Sequence, residues 1–470
     1  MAQSAVARAF PLRPAGVVVA VRGVLEAAAD AKGGRGVSRI VGIVREWKTA
    51  SERRAPLTPQ AVFDLRDQGV TVKVESSPHR VYSDDAYARA GAEVTSDLDG
   101  CDLYLGIKEM PAERLHAGRP HVFFSHTIKG QPYNMPLLTA VLERRCTLLD
   151  YEVITDDAGR RLIFFGVQAG QAGMINSLWT LGRRLLVRGH DTALSTLEQA
   201  RHYDSLVEAK AAILAAGDTM REEGLGDALH PIAVGITGVG NVSRGAQEIL
   251  DMLEPVAIRP EDLVKGRAKE LAGDAPVVKV VFRERHMVER RTSEEPYSRS
   301  EYRAHPDRYR GRFDDYLPHL HLLVTGNYWD ARYPRLVNLA WLREHLQDPA
   351  TRLVAIGDVS CDPDGGVECT VRSTLPEDPV YVYDPATGET RAGFDGPGIA
   401  MMAVDILPTE LPRESSEQFS RLLGPLVEPL LDAEWMRPFD DLDVPGPLKR
   451  AIIAHAGSLT PAYAHLRDHC

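Results

Sequence analysis

A chain of 470 residues exceeds what one hydrophobic core sustains, so two or three domains are expected. Hydrophobic residues make up 44%, charged residues 26%, and the net charge is −11, which describes an ordinary acidic globular protein and excludes nucleic acid and membrane surface as principal partners. The five cysteines are widely spaced without a C-x-x-C pair, which indicates neither a disulfide scaffold nor a metal site, and no apolar run approaches the ~18 residues that span a bilayer.

Residues 1–38 are rich in Ala, Arg, Val and Gly and carry no acid before Glu26. They read as a tail, expected to be disordered, with Val37 a candidate true start. Such a leader also has features of a mitochondrial transit peptide, but it holds little Ser and no clean amphipathic stripe, so a cytoplasmic location is expected with the mitochondrial one as alternative.

From Ile40 short apolar strands alternate with helical spacing. Ile40–Val44 is a strand, Thr58-Pro59 caps a helix through Asp67, and Val70–Val74 is the next strand. A short helix over Asp84–Ala90 follows, then strands at Asp102–Ile107 and His121–Phe124, a helix over Met135–Arg144 and a strand at Cys146–Leu149. This βαβ spacing predicts a parallel sheet with helices on both faces, in which ligands sit outside the carboxyl ends of the strands. Those ends are charged: Arg45-Glu46 and Ser51-Glu-Arg-Arg54, Lys108-Glu109, Ser125-His-Thr-Ile-Lys129, and Asp150-Tyr-Glu152. One charged strand end is usually a solvated loop. Four in succession combine Arg for carboxylates with Lys, His and Glu for moving protons, as imine or carbonyl chemistry on acids requires.

Residues 167–216 read as helices. Gln168–Gly173 supplies small residues for close packing, and Ile175–Leu186 carries an apolar stripe expected to bridge two domains as a hinge. Ile232–Gln247 then reads as strand, turn and helix. Gly238 and Gly240 allow a sharp turn and close approach to a pyrophosphate, Gly245 allows close helix packing, and the helix start Asn241-Val242-Ser243 offers N–H groups to phosphates, with Ser243 where the third glycine usually stands. After the next strand, Arg259 is the nearest charged residue to the position that reads the coenzyme ribose, which favours NADP, as NADPH, with NAD possible; a slip of two residues would put Glu261 or Glu254 there instead, and Arg259 would then be a solvated loop residue. Strands follow at Val277–Phe282, Leu322–Thr325 and Leu353–Ile356. The charged run over 283–316 reads as a solvated face, and His319 and His321 lack the further ligand a metal would need, so no metal is expected.

Taken together, Ser51–Pro59, Gly106–Pro111, Phe123–Lys129, Asp150–Glu152, Ala158–Gly166, Gly238–Gln247, Gly326–Trp329, Ala355–Ser360 and Ala403–Pro408 resemble the saccharopine dehydrogenase (L-lysine-forming) family, related to alanine dehydrogenase. Within it the likeness is to the lysine-ketoglutarate reductase half of aminoadipic semialdehyde synthase, and it covers about residues 38–460. The resemblance implies an α/β fold of two Rossmann-like parallel-sheet domains with a cleft between them. The substrate domain would be discontinuous, over 39–172 and 403–470, and the dinucleotide-binding domain would run over 173–402. The implied reaction is NAD(P)H-dependent condensation of lysine with 2-oxoglutarate to saccharopine. Lys108 and His126 would be the acid-base pair; Arg54 and Arg161, with Lys129, would hold substrate carboxylates; Glu52 and Glu152 would tune them or act only as their salt-bridge partners. Asp358 and Ser360 would lie near the nicotinamide ribose. No second glycine loop precedes Cys470, so a separate glutamate-forming saccharopine dehydrogenase is expected in the pathway. Two other functions stay open: an amino-acid dehydrogenase of the alanine dehydrogenase kind, and a non-catalytic ligand-sensing protein on the same fold.

Overall fold

The computed structural model describes residues 39–292 and 295–469, so the expectations for the tail over 1–38 lie outside the described residues. The chain forms two compact units, one up to Phe164 and again from Ser415, the other from Phe165 to Glu414.

The first unit opens with β1 (Ile40–Ile43), α1 (Pro59–Asp67), β2 (Thr71–Glu75), β3 (Glu93–Thr95), β4 (Leu103–Lys108), β5 (Pro120–Phe124), α2 (Met135–Glu143) and β6 (Thr147–Asp150). The Thr58 hydroxyl caps α1 by accepting from the Ala61 N–H at 3.2 Å, as the Thr-Pro signal implies. All six strands pair in parallel. β4 and β6 are buried almost end to end, as strands covered on both faces must be.

The second unit begins with the long helices α3 (Gly166–Val187) and α4 (Leu206–Glu223), then β7 (Ile232–Thr237), α5 (Asn241–Leu250), β8 (Val256–Ile258) and β9 (Val277–Phe282). A small antiparallel pair, β10 (Val288–Arg290) and β11 (Tyr309–Gly311), brackets α6 (Arg299–Ala304). β12 (Leu322–Thr325), β13 (Ala355–Asp358), β14 (Val380–Tyr383), β15 (Thr390–Ala392) and β16 (Ile399–Met402) complete an eight-stranded sheet of order β15-β14-β16-β13-β12-β7-β9-β8. β14 and β15 are its antiparallel strands. Helices α3 and α5 touch through glycines. A Cβ on Gly170 would lie 1.9 Å from the Val242 carbonyl oxygen, and one on Gly245 would lie 2.1 Å from that of Val167, so only glycine lets the two backbones meet.

The segment over 283–316 departs from its expected solvated face. Tyr302, Tyr309, Phe313, Tyr316 and Leu317 are buried in the core beside β9, and the aromatic rings pack edge to face. Arg and Glu dominate the composition there, yet the spaced aromatics decide the packing.

The chain then returns to the first unit through α7 (Pro412–Asp432), β17 (Ile452–His455) and β18 (Ser458–Leu459). β17 adds antiparallel to β6, giving the order β18-β17-β6-β5-β4-β1-β2-β3.

Candidate functional site

In the first unit β6, β5, β4 and β1 are consecutive neighbours, so the four charged strand ends fall side by side on one edge. At the end of β1, Glu46 reaches over β4: its Oε1 accepts from the Ile107 N–H at 2.7 Å and its Oε2 from the Lys108 N–H at 2.9 Å. Backbone pairing of β1 with β4 stops where Val44 N–H meets the Leu105 carbonyl, and β4 slips register against β5 between Leu105 and Lys108. The Glu46 carboxyl therefore continues the ladder that the backbone abandons, and fixes the direction in which Lys108 leaves the sheet. Burial, with help from Glu52, pushes the Glu46 carboxyl up to about 8 against the two N–H donors and Arg54.

Lys108 is partly buried. Burial, then the Arg54 and Lys48 charges, lower its pKa against the opposing Glu52 and Glu109, so a larger fraction is neutral near pH 7 than in free lysine. Glu109 takes Lys48 Nζ at 2.6 Å on Oε1 and lies 3.6 Å from His126 Nδ1 with Oε2. Burial works to raise Glu109, but hydrogen bonds with His126 and Lys48 win and bring it to about 2, so it stays ionised. With Nδ1 turned to Glu109, the other ring nitrogen of His126, Nε2, points away from that carboxylate.

His126 sits at φ 54°, a left-handed conformation that a side-chain-bearing residue adopts only when held. The fully buried Asp150 holds it. Asp150 Oδ2 accepts from the Ser125 N–H at 2.9 Å, the Ser125 hydroxyl at 2.6 Å and the His126 N–H at 3.1 Å, while Oδ1 takes the Glu152 N–H at 2.7 Å.

The two expected carboxylate anchors are paired internally. Arg54 forks onto Glu52, Nε to Oε1 at 2.7 Å and Nη2 to Oε2 at 2.5 Å, with both residues buried. Their loop is pinned by α7, whose Ser416 and Ser420 hydroxyls accept from the Ala55 and Thr58 N–H groups. Arg161 Nη2 meets Glu152 Oε1 at 2.6 Å with half of the Arg161 side chain exposed. Lys129 is exposed on the short turn after His126. Two buried polar atoms without a hydrogen-bond partner, Tyr151 Oη and Glu152 Oε2, lie on the residues just past β6, as in a site built to take a ligand.

The second unit carries the glycine loop between β7 and α5. Gly238 sits at φ 83° and its N–H donates to the Phe282 carbonyl at 2.8 Å. Gly240 has φ −82°, open to any residue, and a Cβ there would meet nothing within 4 Å. The fold itself does not need a glycine at 240; a pyrophosphate laid against the backbone does. No side chain caps α5 at Gly240, so the first-turn N–H groups of Asn241, Val242 and Ser243 remain available to an anion. The residues present thus fit a dinucleotide. Ser243, in the third-glycine position, turns its hydroxyl inward to the Gly238 carbonyl at 2.8 Å and so ties the loop to the helix. Val242 packs against Gly326, and Asn327 accepts from the Thr237 hydroxyl. Asp358, at the end of β13, is buried and saturated by hydroxyls: Thr325 at 2.7 Å, Ser360 at 2.8 Å and Thr370 at 2.6 Å. It holds Ser360 on the strand end.

Arg259 needs correction as the ribose reader. It follows β8, the next strand in sequence, but β9 stands between β8 and β7, and the Arg259 fork is closed on Asp262 at 2.8 and 3.2 Å. Sequence order misleads here because the chain crosses to the sheet edge before it returns beside β7. The strand beside β7 is β9, and the residues that follow it are Arg283 to Arg285.

Residues 42–172 match the family described as alanine dehydrogenase/PNT, N-terminal domain. The alpha-aminoadipic semialdehyde synthase of Arabidopsis thaliana is 36% identical over 443 residues, 91% of this chain and 41% of that protein, so the chain spans less than half of that relative. The saccharopine dehydrogenase [NAD(+), L-lysine-forming] of Emericella nidulans is 27% identical over 402 residues, 82% of this chain and 90% of that one. Among solved structures an L-alanine dehydrogenase superposes with a TM-score of 0.57 at 17% identity, covering 92% of this chain and all of its own, which bears on the fold. Residues 42–172 thus carry the alanine dehydrogenase/PNT N-terminal domain, and over most of its length the chain is similar to alpha-aminoadipic semialdehyde synthase and to the L-lysine-forming saccharopine dehydrogenases.

Proposed function

We propose that this chain is a lysine–2-oxoglutarate reductase, an oxidoreductase that condenses L-lysine with 2-oxoglutarate and reduces the imine with a nicotinamide coenzyme to saccharopine. The observation that carries the reading is the row of adjacent strand ends bearing Lys108, Glu109 and His126, with Glu46 and Asp150 fixing their backbones.

The chemistry asks for a base that frees the ε-amine of lysine, an acid that sends off the carbinolamine oxygen as water, and a proton for the imine nitrogen. Lys108, made less basic by burial and neighbouring cations, accepts the proton of the ε-ammonium and returns it to the departing oxygen. His126, aligned by Glu109 through Nδ1, protonates the imine nitrogen from Nε2. The coenzyme, bound at the glycine loop, supplies the hydride. Arg161, half exposed and held by a single carboxylate, can swing to a substrate carboxylate, and Lys129, exposed on the turn after His126, adds a second positive charge. Arg54 is fully engaged with Glu52 and contributes mainly its charge, which opposes protonation of Lys108. A separate glutamate-forming saccharopine dehydrogenase would consume the product.

Coenzyme oxidation followed with lysine plus 2-oxoglutarate, against ammonia plus pyruvate, tests the reading. Turnover only with the first pair supports it; turnover only with the second makes the chain an alanine dehydrogenase-like enzyme; binding without turnover of either pair points to a ligand-sensing protein.

A further inference from the structure

The strand beside the glycine loop is β9, paired with β7 along its whole length from Ile232–Val277 to Thr237–Phe282. In a dinucleotide-binding unit the residue past this neighbouring strand meets the adenosine ribose: an acid there accepts from a 2′-hydroxyl, and an Arg takes up a 2′-phosphate. This chain has both kinds in a row, Arg283-Glu284-Arg285. An ionised Glu284 beside the ribose would repel a 2′-phosphate, so its state decides which coenzyme fits.

Glu284 is already occupied. Its Oε2 accepts from the Tyr297 hydroxyl at 3.1 Å and Arg299 Nε at 3.0 Å, and its Oε1 from Arg303 Nη2 at 3.4 Å. Two guanidinium groups neutralise it and three donors fill most of its acceptor sites. Both arginines belong to α6, and α6 is itself locked to the β10–β11 pair: Glu301 takes Arg290 Nη1 at 3.1 Å, Arg308 at 3.0 Å and the Tyr309 hydroxyl at 2.7 Å. Arg283, by contrast, is exposed and forms no ion pair among the described residues, and exposed Arg285 likewise has no carboxylate partner. Among the described residues, His286 Nε2 lies 3.1 Å from Arg285 Nε and 3.8 Å from Glu261, so these two groups face Arg285 from its own helix and from the segment after β8.

We propose that Tyr297, Arg299 and Arg303 form a coenzyme-selecting element: they withdraw Glu284 from the ribose, leaving Arg283, with Arg285 beside it, to bind a 2′-phosphate, so that this chain takes NADPH in preference to NADH. The proposal rests on the second unit being a nicotinamide dinucleotide site.

Binding of NADPH, NADH and the fragment 2′,5′-ADP to the full chain, measured by calorimetry without substrates, tests it. Wild type should bind NADPH and 2′,5′-ADP well and NADH poorly. Arg283→Ala should lose about 10- to 100-fold for NADPH and 2′,5′-ADP, the scale of one charge-assisted hydrogen bond, with NADH nearly unchanged. Arg299→Ala/Arg303→Ala should gain for NADH, and adding Glu284→Gln should abolish the gain. An unchanged NADPH-to-NADH ratio in Arg283→Ala overturns the proposal, as does an unchanged NADH affinity in a folded double variant. Should the double variant unfold, the Arg283→Ala ratio decides alone, since that side chain is exposed. If wild type binds none of the three ligands, the dinucleotide reading fails; if it binds NADH as tightly as NADPH, that reading stands and the selection falls.

Discussion

Two residues at the proposed reaction centre do their work on backbone atoms. Glu46 completes the hydrogen bonding of β4 at Ile107 and Lys108, and Asp150 holds the left-handed turn at His126. Replacing Lys108 by Met or His126 by Gln should each lower kcat by roughly 10²–10⁴, the range of general acid-base catalysis, with coenzyme affinity near normal. A Lys108→Met enzyme with intact kcat and a raised KM would make the lysine a binding group instead. Glu46→Gln keeps one acceptor and turns an amide donor against the other N–H, so Lys108 shifts. Misplacement on the scale of 1 Å costs up to about 10², and steady-state kinetics should register the loss in kcat more than in KM. Full activity in this variant would show that the ladder across β4 holds Lys108 without it. The charged strand ends were legible in the sequence because side-chain chemistry leaves a motif. Glu46 and Asp150 were visible as residues but not as roles, since a carboxyl that serves a backbone N–H has no sequence partner to point to it.

At the level of elements, the strand–helix alternation and the glycine turn could be read from spacing, and the Thr58 cap from its position before Pro59. The order of strands in the sheet could not. β8 precedes β9 in the chain but lies outside it, and nothing in an apolar pattern tells a strand which neighbour it takes. That is why sequence order points to Arg259 and not to the residues after β9. The aromatic core under 288–316 was hidden for another reason: its tyrosines are spaced irregularly among many charges. The glycines separate two demands. Gly245→Ala would drive a methyl into the Val167 carbonyl, forcing α3 and α5 apart at a cost of roughly 1–3 kcal/mol. Its unfolding midpoint should fall. Gly240→Ala meets no atom and should leave that midpoint where it is while weakening coenzyme binding. Equal midpoints for the two variants in a thermal melt would remove the packing argument.

Over the whole molecule, pH acts on the fold through buried carboxyls. Glu410, in the second unit, is held by the neutral amides Asn176, at 3.1 and 3.0 Å, and Gln199, at 3.0 Å, and burial pushes its pKa up to about 7. The unfolded chain loses this proton near its ordinary value of 4.5 while the folded chain keeps it, so the stabilisation is full below about 4.5 and drains away as pH rises to about 7. At ~1.4 kcal/mol per pKa unit, this amounts to a few kcal/mol. Urea melts at pH 5 and pH 8 should therefore differ more in wild type than in Glu410→Gln; identical pH dependence in both would refute the assignment. The return of the chain to its first sheet has a temporal consequence as well. β17 closes the edge of β6, yet about 300 residues lie between them. A ribosome adding ~5–20 residues per second needs roughly 15–60 s to cover that stretch. For all of that time a nascent β6 presents its bare hydrogen-bonding edge to the cell, while the second unit can already mature; the first sheet waits on β17 to close that edge, and a chaperone that shields β6 until then would raise the yield of folded chains.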